Sequence, residues 1–485
     1  MHLDVVALSR LQFALTISFH YLFPPLTIGL GTLMVFMEAV YLRTGDKQYE
    51  VMTKFWSRIF AVNFALGVAS GIVMEFQFGT NWSGYSRFVG DVFGSALAAE
   101  GIFAFFLESG FLAVMIFGWG RVSATKHFIS TLMVALGSIF SAVWIVVANS
   151  WQQTPAGYHL VGQGPGVRAE ITDFWAVVFN PSSMNRLSHT LVGAFILGAF
   201  FVMSVSAYYI LRGRHLDFAK KCFTIALIFA AVTSVGQLFL GHAHAIQVAR
   251  TQPEKLAAFE GHFETGTGGA PIHLFGIPNT AERRVDYAVT IPGMLSWLVS
   301  FDPTKPVPGL DQYAQKDWPP VGLPFFGFHV MVGLGMYFIA LTLFSVLMLI
   351  RGKLFGMRWL LWVYVFSVIG PYIANQLGWA SAEVGRQPWI VYHVLRTSDA
   401  VSKVVPAGQV LASNLLFGLI YVMLFAVWIY VVNDKIHKGP DAAEMPATSD
   451  LGDFLETSAL MEDPAGPSLT SAKNGEAKPT SGEEK

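Results

Sequence analysis

Cysteine and charged residues are both scarce in this sequence. The chain of 485 residues has a single cysteine, Cys222, which excludes internal disulfide bonds and multi-cysteine metal clusters. Only 13% of the residues are charged, against about 25% in soluble domains. The formal net charge is -1, and no stretch is basic or repetitive enough to indicate nucleic-acid binding. These absences exclude a disulfide scaffold and a nucleic-acid-binding protein.

Hydrophobic residues make up 53% of the chain, and they are grouped in long runs. A helix of about 20 apolar residues crosses a hydrocarbon core of about 30 Å. The sequence therefore predicts an all-α, polytopic membrane bundle with nine transmembrane helices, which we call spans one to nine. Their predicted ranges are about 10–42, 55–80, 92–119, 128–150, 186–211, 219–248, 322–350, 358–381 and 409–432. Pro24 and Pro25 predict a kink in span one.

Lysine and arginine are concentrated after spans one, three, five, seven and nine. These residues are Arg43, Lys47, Lys54, Arg58, Arg121, Lys126, Arg212, Arg214, Lys220, Lys221, Arg351, Lys353, Arg358, Lys435 and Lys438. The loop after span two has only Arg87. The positive-inside rule predicts an outer N-terminus and a cytoplasmic C-terminus. The first four residues carry no positive leader, so we expect no cleavable signal peptide.

The chain divides into four predicted regions. Residues 1–248 contain spans one to six, and residues 322–435 contain spans seven to nine. Between them, residues 249–321 form a polar outer-face loop dense in Gly and Pro, and a structureless loop of this length is usually functional. Residues 436–485 are rich in Pro, Ala, Ser, Gly and acidic residues, which predicts a disordered cytoplasmic tail.

Ionisable or ligand-forming side chains inside a span are costly, so each requires an explanation. They are His20, Glu75, Glu100, Glu108, His189, His329, Met331 and Glu383. Four of them lie in the outer third of four different spans: His20, His189, Met331 and Glu383. Haem iron accepts His and Met ligands, so this depth favours a haem site. A buried His can instead form interhelical hydrogen bonds, and Met is an ordinary packing residue, so the spacing leaves both interpretations open.

Two acids follow each other along span three. Glu100 and Glu108 are eight residues apart, which corresponds to about 12 Å of helix rise and neighbouring helix faces. Each buried acid must be neutral, paired or hydrated, so the pair is hard to explain as packing. The spacing is typical of successive groups in a proton relay.

Three segments resemble a known family. They read LSRLQF at 8–13, MEFQFGTNW at 74–82 and GRQPW at 385–389. With these segments the sequence resembles cytochrome bd oxidase subunit I over about residues 2–435. That family has nine helices and a quinol-binding loop between its sixth and seventh helices. The resemblance implies the haem-containing catalytic subunit of a terminal respiratory oxidase in the bacterial cytoplasmic (inner) membrane.

The resemblance also implies a reaction. Ubiquinol or menaquinol would be oxidised at the outer face, and dioxygen would be reduced to water with cytoplasmic protons. This generates proton motive force without pumping. A second large membrane subunit is implied as partner, whereas a small single-helix subunit is left open.

The family's haem ligands transfer to four positions of this chain. His189 and Met331 would ligate the iron of a low-spin haem b. His20 and Glu383 would each ligate one of two high-spin haems, a haem b and either a haem d or a further haem b. Arg10, Arg386 and also Arg396 lie where guanidinium groups suit haem propionates.

The resemblance implies roles for five further residues. Glu100 would lie beside the high-spin haems, and Glu108 and Ser141 would form part of a proton route from the cytoplasm. Lys255 and Glu260 match the loop pair that binds quinol.

Some positions depart from the family or remain open. His329 stands where the family usually has Arg or Lys, and it competes with the proposed ligands. The outer loop is the short form, which resembles the cyanide-insensitive branch and leaves the haem d content open. His242 and His244, at the outer end of span six, are expected to be structural or solvent-facing rather than metal ligands.

Three other classes of membrane protein fit less well. A haem-copper oxidase requires a multi-histidine copper site, and none of the 13 histidines is adjacent to another. A secondary transporter predicts internal repeats and broken helices around a midplane site, and neither is visible in the sequence. A cytochrome b-type electron carrier would more naturally use paired His ligands than Met and a carboxylate.

Overall fold

The computed structural model describes residues 4–441 of the chain. Within this range, nine helical segments are long and apolar enough to cross a membrane, which confirms the predicted helical bundle. They are Val5–Thr44, Lys47–Thr80, Ser83–Phe117, Ala124–Gln153, Ser183–Arg212, Leu216–Thr251, Gly322–Ile350, Arg358–Val384 and Ala407–Lys438. These segments are spans one to nine as the structure has them.

The helices are longer than the predicted apolar runs because they end at capping residues rather than where hydropathy falls. Asp46 accepts a hydrogen bond from the backbone N–H of Gln48 at 2.9 Å and begins span two. Gly45 and Gly213 follow spans one and five with φ of 69° and 67°, a left-handed conformation that costs glycine little. The span ends therefore extend beyond the hydrocarbon-crossing stretch.

Two spans are divided by prolines. Span one consists of Val5–His20 and Pro24–Thr44, so the predicted kink is a complete break at residues 21–23. Span eight consists of Arg358–Ser367 and Ile369–Val384, and Pro371 lies just after the break. Proline lacks the backbone N–H that a continuous helix needs. The first break leaves His20 as the last residue of a helix.

Span three contains a stretch of π-helix. It runs as the α-helix Ser83–Ala99, the π-helix Glu100–Phe105 and the α-helix Phe106–Phe117. A π-helical turn contains more residues than an α-helical turn, so the faces on either side shift relative to each other. Glu100 and Glu108 consequently both contact span four.

Spans one and five cross with their backbones in close contact. A Cβ built on Gly29 would lie 2.4 Å from the carbonyl oxygen of Ala194, and one on Gly198 would lie 2.5 Å from the carbonyl carbon of Gly29. Small residues allow membrane helices to pack backbone against backbone. Around this crossing lies the main apolar core, which includes Leu30 and Phe200.

The outer loop between spans six and seven is folded rather than structureless. It contains the helix Pro253–Glu260, the antiparallel strands Ile272–Asn279 and Arg284–Ile291, and the helix Met294–Ser300. Two short 3-10 turns, Leu310–Gln312 and Gln315–Asp317, precede span seven. The first helix of the loop follows span six after one residue, so it packs directly against the outer end of the bundle.

The remaining short elements lie in the other connections. Between spans four and five are the paired strands Tyr158–Val161 and Arg168–Ile171, the turn Gly164–Gly166 and the helix Phe174–Val178. After spans seven and eight come the turn Leu354–Gly356, the paired strands Trp389–Val391 and Leu395–Arg396, and the helix Thr397–Ala400. Most of the predicted tail, residues 442–485, lies outside the described residues.

Candidate functional site

A cavity of about 360 Å³ lies between spans five to eight and the outer loop. Pockets for small molecules and cofactors typically measure about 300–1,000 Å³ and are mostly apolar. Its wall includes His189 of span five, Met331 of span seven, and Lys255 and Glu260 of the loop helix. The structure thus brings two predicted haem ligands and both predicted quinol-binding residues to one cavity.

His189 and Met331 have the surroundings of potential ligands rather than of satisfied core residues. The Nδ1 of His189 is buried and has no hydrogen-bond partner within residues 4–441. A Cβ on Gly241 would lie 3.4 Å from Cε1 of His189, and a Cβ on Gly378 would lie 2.7 Å from Sδ of Met331. Glycines therefore make room for both side chains, and a His/Met pair on an apolar cavity fits a haem iron.

The other histidines near the cavity differ in their contacts. His242 and His244 are half-buried and line the cavity, and the His244 ring lies 5.4 Å from that of His189. His329 bonds two carbonyl oxygens, from Nδ1 to Phe325 at 2.8 Å and from Nε2 to His273 at 2.5 Å. With both nitrogens engaged, His329 fastens the outer hairpin to span seven, and it has no free nitrogen in this arrangement.

Glu383 is surrounded by hydrogen-bond donors at the outer end of span eight. Its Oε1 accepts from Nδ2 of Asn149 at 3.2 Å and from Nε2 of Gln153 at 2.9 Å. Arg386 contacts Oε2, and Arg186 lies 3.6 Å from Oε1. The two arginine side chains are each 5% exposed, so Glu383 supplies negative charge to buried cations.

The sequence analysis found Glu383 and Arg386 but missed their neighbours. Arg186 is the first residue of the predicted fifth span, and a charged side chain within a span indicates a buried partner or a functional role. Asn149 and Gln153 are polar residues at the end of span four, and no pattern in the sequence connects them with span eight. Their contact with Glu383 is a product of helix packing.

His20 is oriented by a serine of span two. The Oγ of Ser70 donates to the carbonyl oxygen of Leu66 at 2.7 Å and lies 3.0 Å from Nδ1 of His20. Because a hydroxyl has one hydrogen, Nδ1 of His20 is the donor to Ser70. A neutral His20 then has its lone pair on Nε2, the form in which histidine binds metals. Gly71 accommodates the ring, since a Cβ there would lie 3.3 Å from Cε1 of His20.

Each acid of span three bonds a different serine of span four. The Oγ of Ser141 donates to Oε1 of Glu100 at 2.6 Å, and the Oγ of Ser138 donates to Oε1 of Glu108 at 2.9 Å. A Cβ on Gly137 would lie 2.6 Å from Cγ of Glu108, so this glycine admits the buried acid. The sequence analysis grouped Ser141 with Glu108 and missed Ser138, which lies almost one helical turn earlier.

Lys255 and Glu260 are both buried although they belong to the outer loop. Lys255 is 1% exposed, donates to Oε1 of Gln252 at 2.8 Å and also contacts Gln153. Burial, followed by the positive charge of Arg186, holds the pKa of Lys255 well below its usual range. Glu260 is 3% exposed, its Oε2 has no partner in the described chain, and burial raises its pKa to about 8. A carboxyl with a pKa of about 8 can exchange protons near neutral pH.

Two predicted arginines lie apart from these contacts. Arg10 is exposed on the first helix and takes no part in the Glu383 cluster. Arg396 pairs with Asp317 and lies over the ring of Trp389 at 4.5 Å. Glu75 is exposed on the surface of span two, within electrostatic range of Glu100. Arg386 is therefore the predicted arginine that the structure brings closest to a candidate ligand.

The fold and these sites define a multi-pass helical membrane protein with His, Met and carboxyl groups around a mostly apolar cavity. The chain belongs to the cytochrome bd terminal oxidase subunit I family, whose sequence model matches residues 8–440. It is an oxidoreductase of the quinol oxidase type.

Individual relatives extend this result over nearly the whole chain. The cytochrome bd-II ubiquinol oxidase subunit 1 of Escherichia coli (strain K12) is 37% identical, over 91% of this chain and 98% of its own. The cytochrome bd ubiquinol oxidase subunit 1 of Bacillus subtilis (strain 168) is 38% identical, over 90% of this chain and 94% of its own. The solved bd oxidase from Geobacillus thermodenitrificans has a TM-score of 0.84 and 29% identity, covering 90% of this chain and 99% of that one.

Proposed function

We propose that this chain is the haem-containing catalytic subunit of an electrogenic terminal oxidase in the bacterial cytoplasmic membrane. Quinol is oxidised at the outer face, and dioxygen is reduced to water with protons from the cytoplasm. The observation that carries the proposal is the cavity shared by His189, Met331, Lys255 and Glu260. It brings an electron donor's binding residues next to a His/Met ligand pair within a family of terminal oxidases.

His189 and Met331 would hold a low-spin haem b. The support comes from the unpartnered nitrogen of His189, from the glycines beside both side chains and from the mostly apolar cavity wall. His244 lies close enough to His189 to be an alternative ligand. When bound, the haems supply the one-electron steps and the reduction of dioxygen.

His20 and Glu383 would each hold one high-spin haem, one a haem b and the other a haem d or a further haem b. Ser70 leaves Nε2 of His20 available, and the donors around Glu383 keep its carboxylate oriented. Arg186 and Arg386 would balance carboxylates or haem propionates at the same place.

Quinol would bind at the loop 249–321, with Lys255 and Glu260 next to its hydroxyl groups. A carboxyl with a pKa raised to about 8 can accept a quinol proton near physiological pH. Gln153 joins the two sites, since it contacts Lys255 through Oε1 and donates to Glu383 through Nε2. Ubiquinol is the substrate in the names of both bacterial relatives, and we propose ubiquinol or menaquinol here.

Protons for water formation would pass along spans three and four. Glu108 with Ser138 and Glu100 with Ser141 form two consecutive acid–serine pairs, which would lead toward the proposed high-spin haems. Quinol protons leave at the outer face while these protons come from the cytoplasm. Because protons are released on one side of the membrane and taken up from the other, the reaction separates charge across the membrane without a pump.

A second large membrane subunit would complete the enzyme. In span three and in span nine, only 17% of the most apolar stretch of the helix is buried by other parts of this chain. Exposed Phe106 and Ile102 on span three supply an apolar surface for a partner. The N-terminus would lie outside, with the tail 436–485 in the cytoplasm.

Haem extraction and difference spectroscopy test the proposal. We expect three haems per chain in the purified complex and a low-spin signal that Met331→Leu shifts or abolishes. Met336→Leu is the matched control, since Met336 lies on the same span and also lines the cavity. Protein without haem, or an unaltered low-spin signal in Met331→Leu, would show the assignment to be wrong.

A further inference from the structure

A further buried acid lies at the opposite end of the bundle from Glu383. Glu38 of span one is 1% exposed, and its Oε1 lies 2.5 Å from Nδ1 of His127 at the start of span four. Its Oε2 accepts from Oγ1 of Thr131 at 2.6 Å. The sequence analysis missed Glu38 and His127, although Glu38 lies inside a predicted span.

The hydrogen-bond partners of His127 show that this cluster holds one shared proton. Nε2 of His127 lies 3.1 Å from the carbonyl oxygen of Met115, which can only accept, so Nε2 carries a hydrogen. Nδ1 and Glu38 then share a single proton, as imidazolium with carboxylate or as imidazole with carboxylic acid. Thr131 donates to the other oxygen in both states. These two forms are tautomers with the same number of protons. Loss of the shared proton would leave the lone pair of Nδ1 facing the Glu38 carboxylate, and this repulsion favours uptake of a replacement proton.

The cluster lies close to the surface at one end of the bundle. Span one ends at Thr44, six residues after Glu38, and span four begins at Ala124, three residues before His127. The half-buried ring of Trp119 covers His127 with 3.7 Å between ring centroids, and Nζ of Lys54 lies 5.3 Å from the Trp119 ring. This is the end that the positive residues assign to the cytoplasm.

The same face of span four leads from this cluster to the acid pairs. Four polar residues follow along this face at intervals of four, seven and three residues: His127, Thr131, Ser138 and Ser141. On an α-helix these intervals keep the four side chains within an arc of about 80° around the helix axis. From Thr131 to Ser138 the rise is about 10 Å. The face carries the buried Val134 and Ala135 there, so water would carry the proton across this interval.

We infer that Glu38, His127 and Thr131 form the cytoplasmic proton-loading site of the route through Glu108 and Glu100. The pair takes one proton from the cytoplasm, releases one through water toward Glu108, and is then reloaded, so the proton count balances. This inference rests on the proposed function, because it assumes that protons enter along spans three and four. A merely structural clamp between spans one and four is the alternative.

The test uses the complete oxidase in liposomes, with Glu38→Gln, His127→Gln and Glu108→Gln. We expect oxygen consumption and proton uptake after an oxygen pulse to fall roughly tenfold to a hundredfold in Glu38→Gln, with unchanged haem spectra. Glu38→Asp should restore part of the rate, because it returns an acid. Glu50→Gln is the control, since Glu50 is an acid at the same end that pairs with Lys47 and Lys54.

Two outcomes would overturn the inference, and they are distinguishable from failure of the proposed function. If Glu108→Gln slows turnover but Glu38→Gln and His127→Gln do not, the loading site is wrong while the route stands. If none of the three variants slows turnover, the route itself is wrong. Should Glu38→Gln fail to assemble, Thr131→Val keeps the shape of the side chain and removes one hydrogen bond. Normal proton uptake in both Thr131→Val and His127→Gln would then identify a structural clamp.

Discussion

Met331 packs its sulfur against the backbone of Gly378, where a Cβ would lie 2.7 Å from Sδ. Spans seven and eight therefore approach closely at the residue that we assign to the low-spin haem. A side chain at 378 cannot be added without moving Met331 or the helix backbone.

We predict that Gly378→Ala alters the low-spin haem. Displacement of the Met331 sulfur should weaken its bond to iron and shift the low-spin band and its midpoint potential, as measured by spectroelectrochemistry. Gly333→Ala is the control on span seven, since a Cβ at 333 meets no heavy atom within 4 Å. An identical potential in wild type and Gly378→Ala would argue against Met331 as a ligand.

Glu108→Gln should slow turnover and leave the haem spectra largely intact. Gln has the same shape and can still accept from Ser138, but it cannot carry a proton, so we expect a decrease of roughly tenfold or more in oxygen consumption. Ser138→Ala should have a smaller effect, because the acid remains. Unchanged turnover in Glu108→Gln would exclude this acid from the proton route.

Quinol oxidation should depend on the ionisation of Glu260. Burial raises its pKa to about 8, so below that pH the carboxyl is mostly protonated and cannot accept a quinol proton. The rate at low quinol concentration should therefore rise as the pH increases through about 8. Glu260→Gln should remove this rise, as steady-state kinetics across pH 6 to about 9.5 would show. A rise that persists in Glu260→Gln would assign the titration to another group.

Glu383→Gln should destabilise the outer end of the bundle. The substitution leaves Arg186 and Arg386, each 5% exposed, without their shared carboxylate, and breaking a buried ion pair in this way costs about 3 kcal/mol. We expect a lower thermal midpoint of the purified complex and loss of one high-spin haem. Glu170→Gln is the control, because its pair with Arg168 is exposed and worth about 0–1 kcal/mol. Equal midpoints in both variants would contradict the prediction.

The number of spans could be predicted from the sequence because each span is a long apolar run. Most candidate ligands could be predicted because a membrane penalises polar side chains inside such a run. By that rule His20, His189 and Glu383 stand out one by one, whereas Met331 was assigned through the family resemblance. Glu38 also lies in a predicted span and satisfies the same rule, although it was not among the predicted site residues. Arg186 and His127 were missed because they stand at the edges of predicted spans.

The partners of these residues were not accessible in the same way. Ser141 was grouped with Glu108 because of the family resemblance, whereas in the structure Ser141 donates to Glu100 and Ser138 donates to Glu108, on either side of the π-helix Glu100–Phe105. The outer loop was expected to lack structure because it is rich in Gly and Pro, yet its helix Pro253–Glu260 buries Lys255 and Glu260.

The sequence by itself determined that this chain is a nine-span membrane protein, because a lipid bilayer requires long apolar helices whatever other helices they pack against. It also indicated which side chains are too costly to be inside lipid without a purpose. Only the tertiary structure decided which of them meet: His189 and Met331 share a cavity with Lys255 and Glu260, while Glu38 faces His127 at the other end. Those contacts join residues distant in sequence, and they depend on helix crossings such as Gly29 on Gly198, which no local pattern specifies.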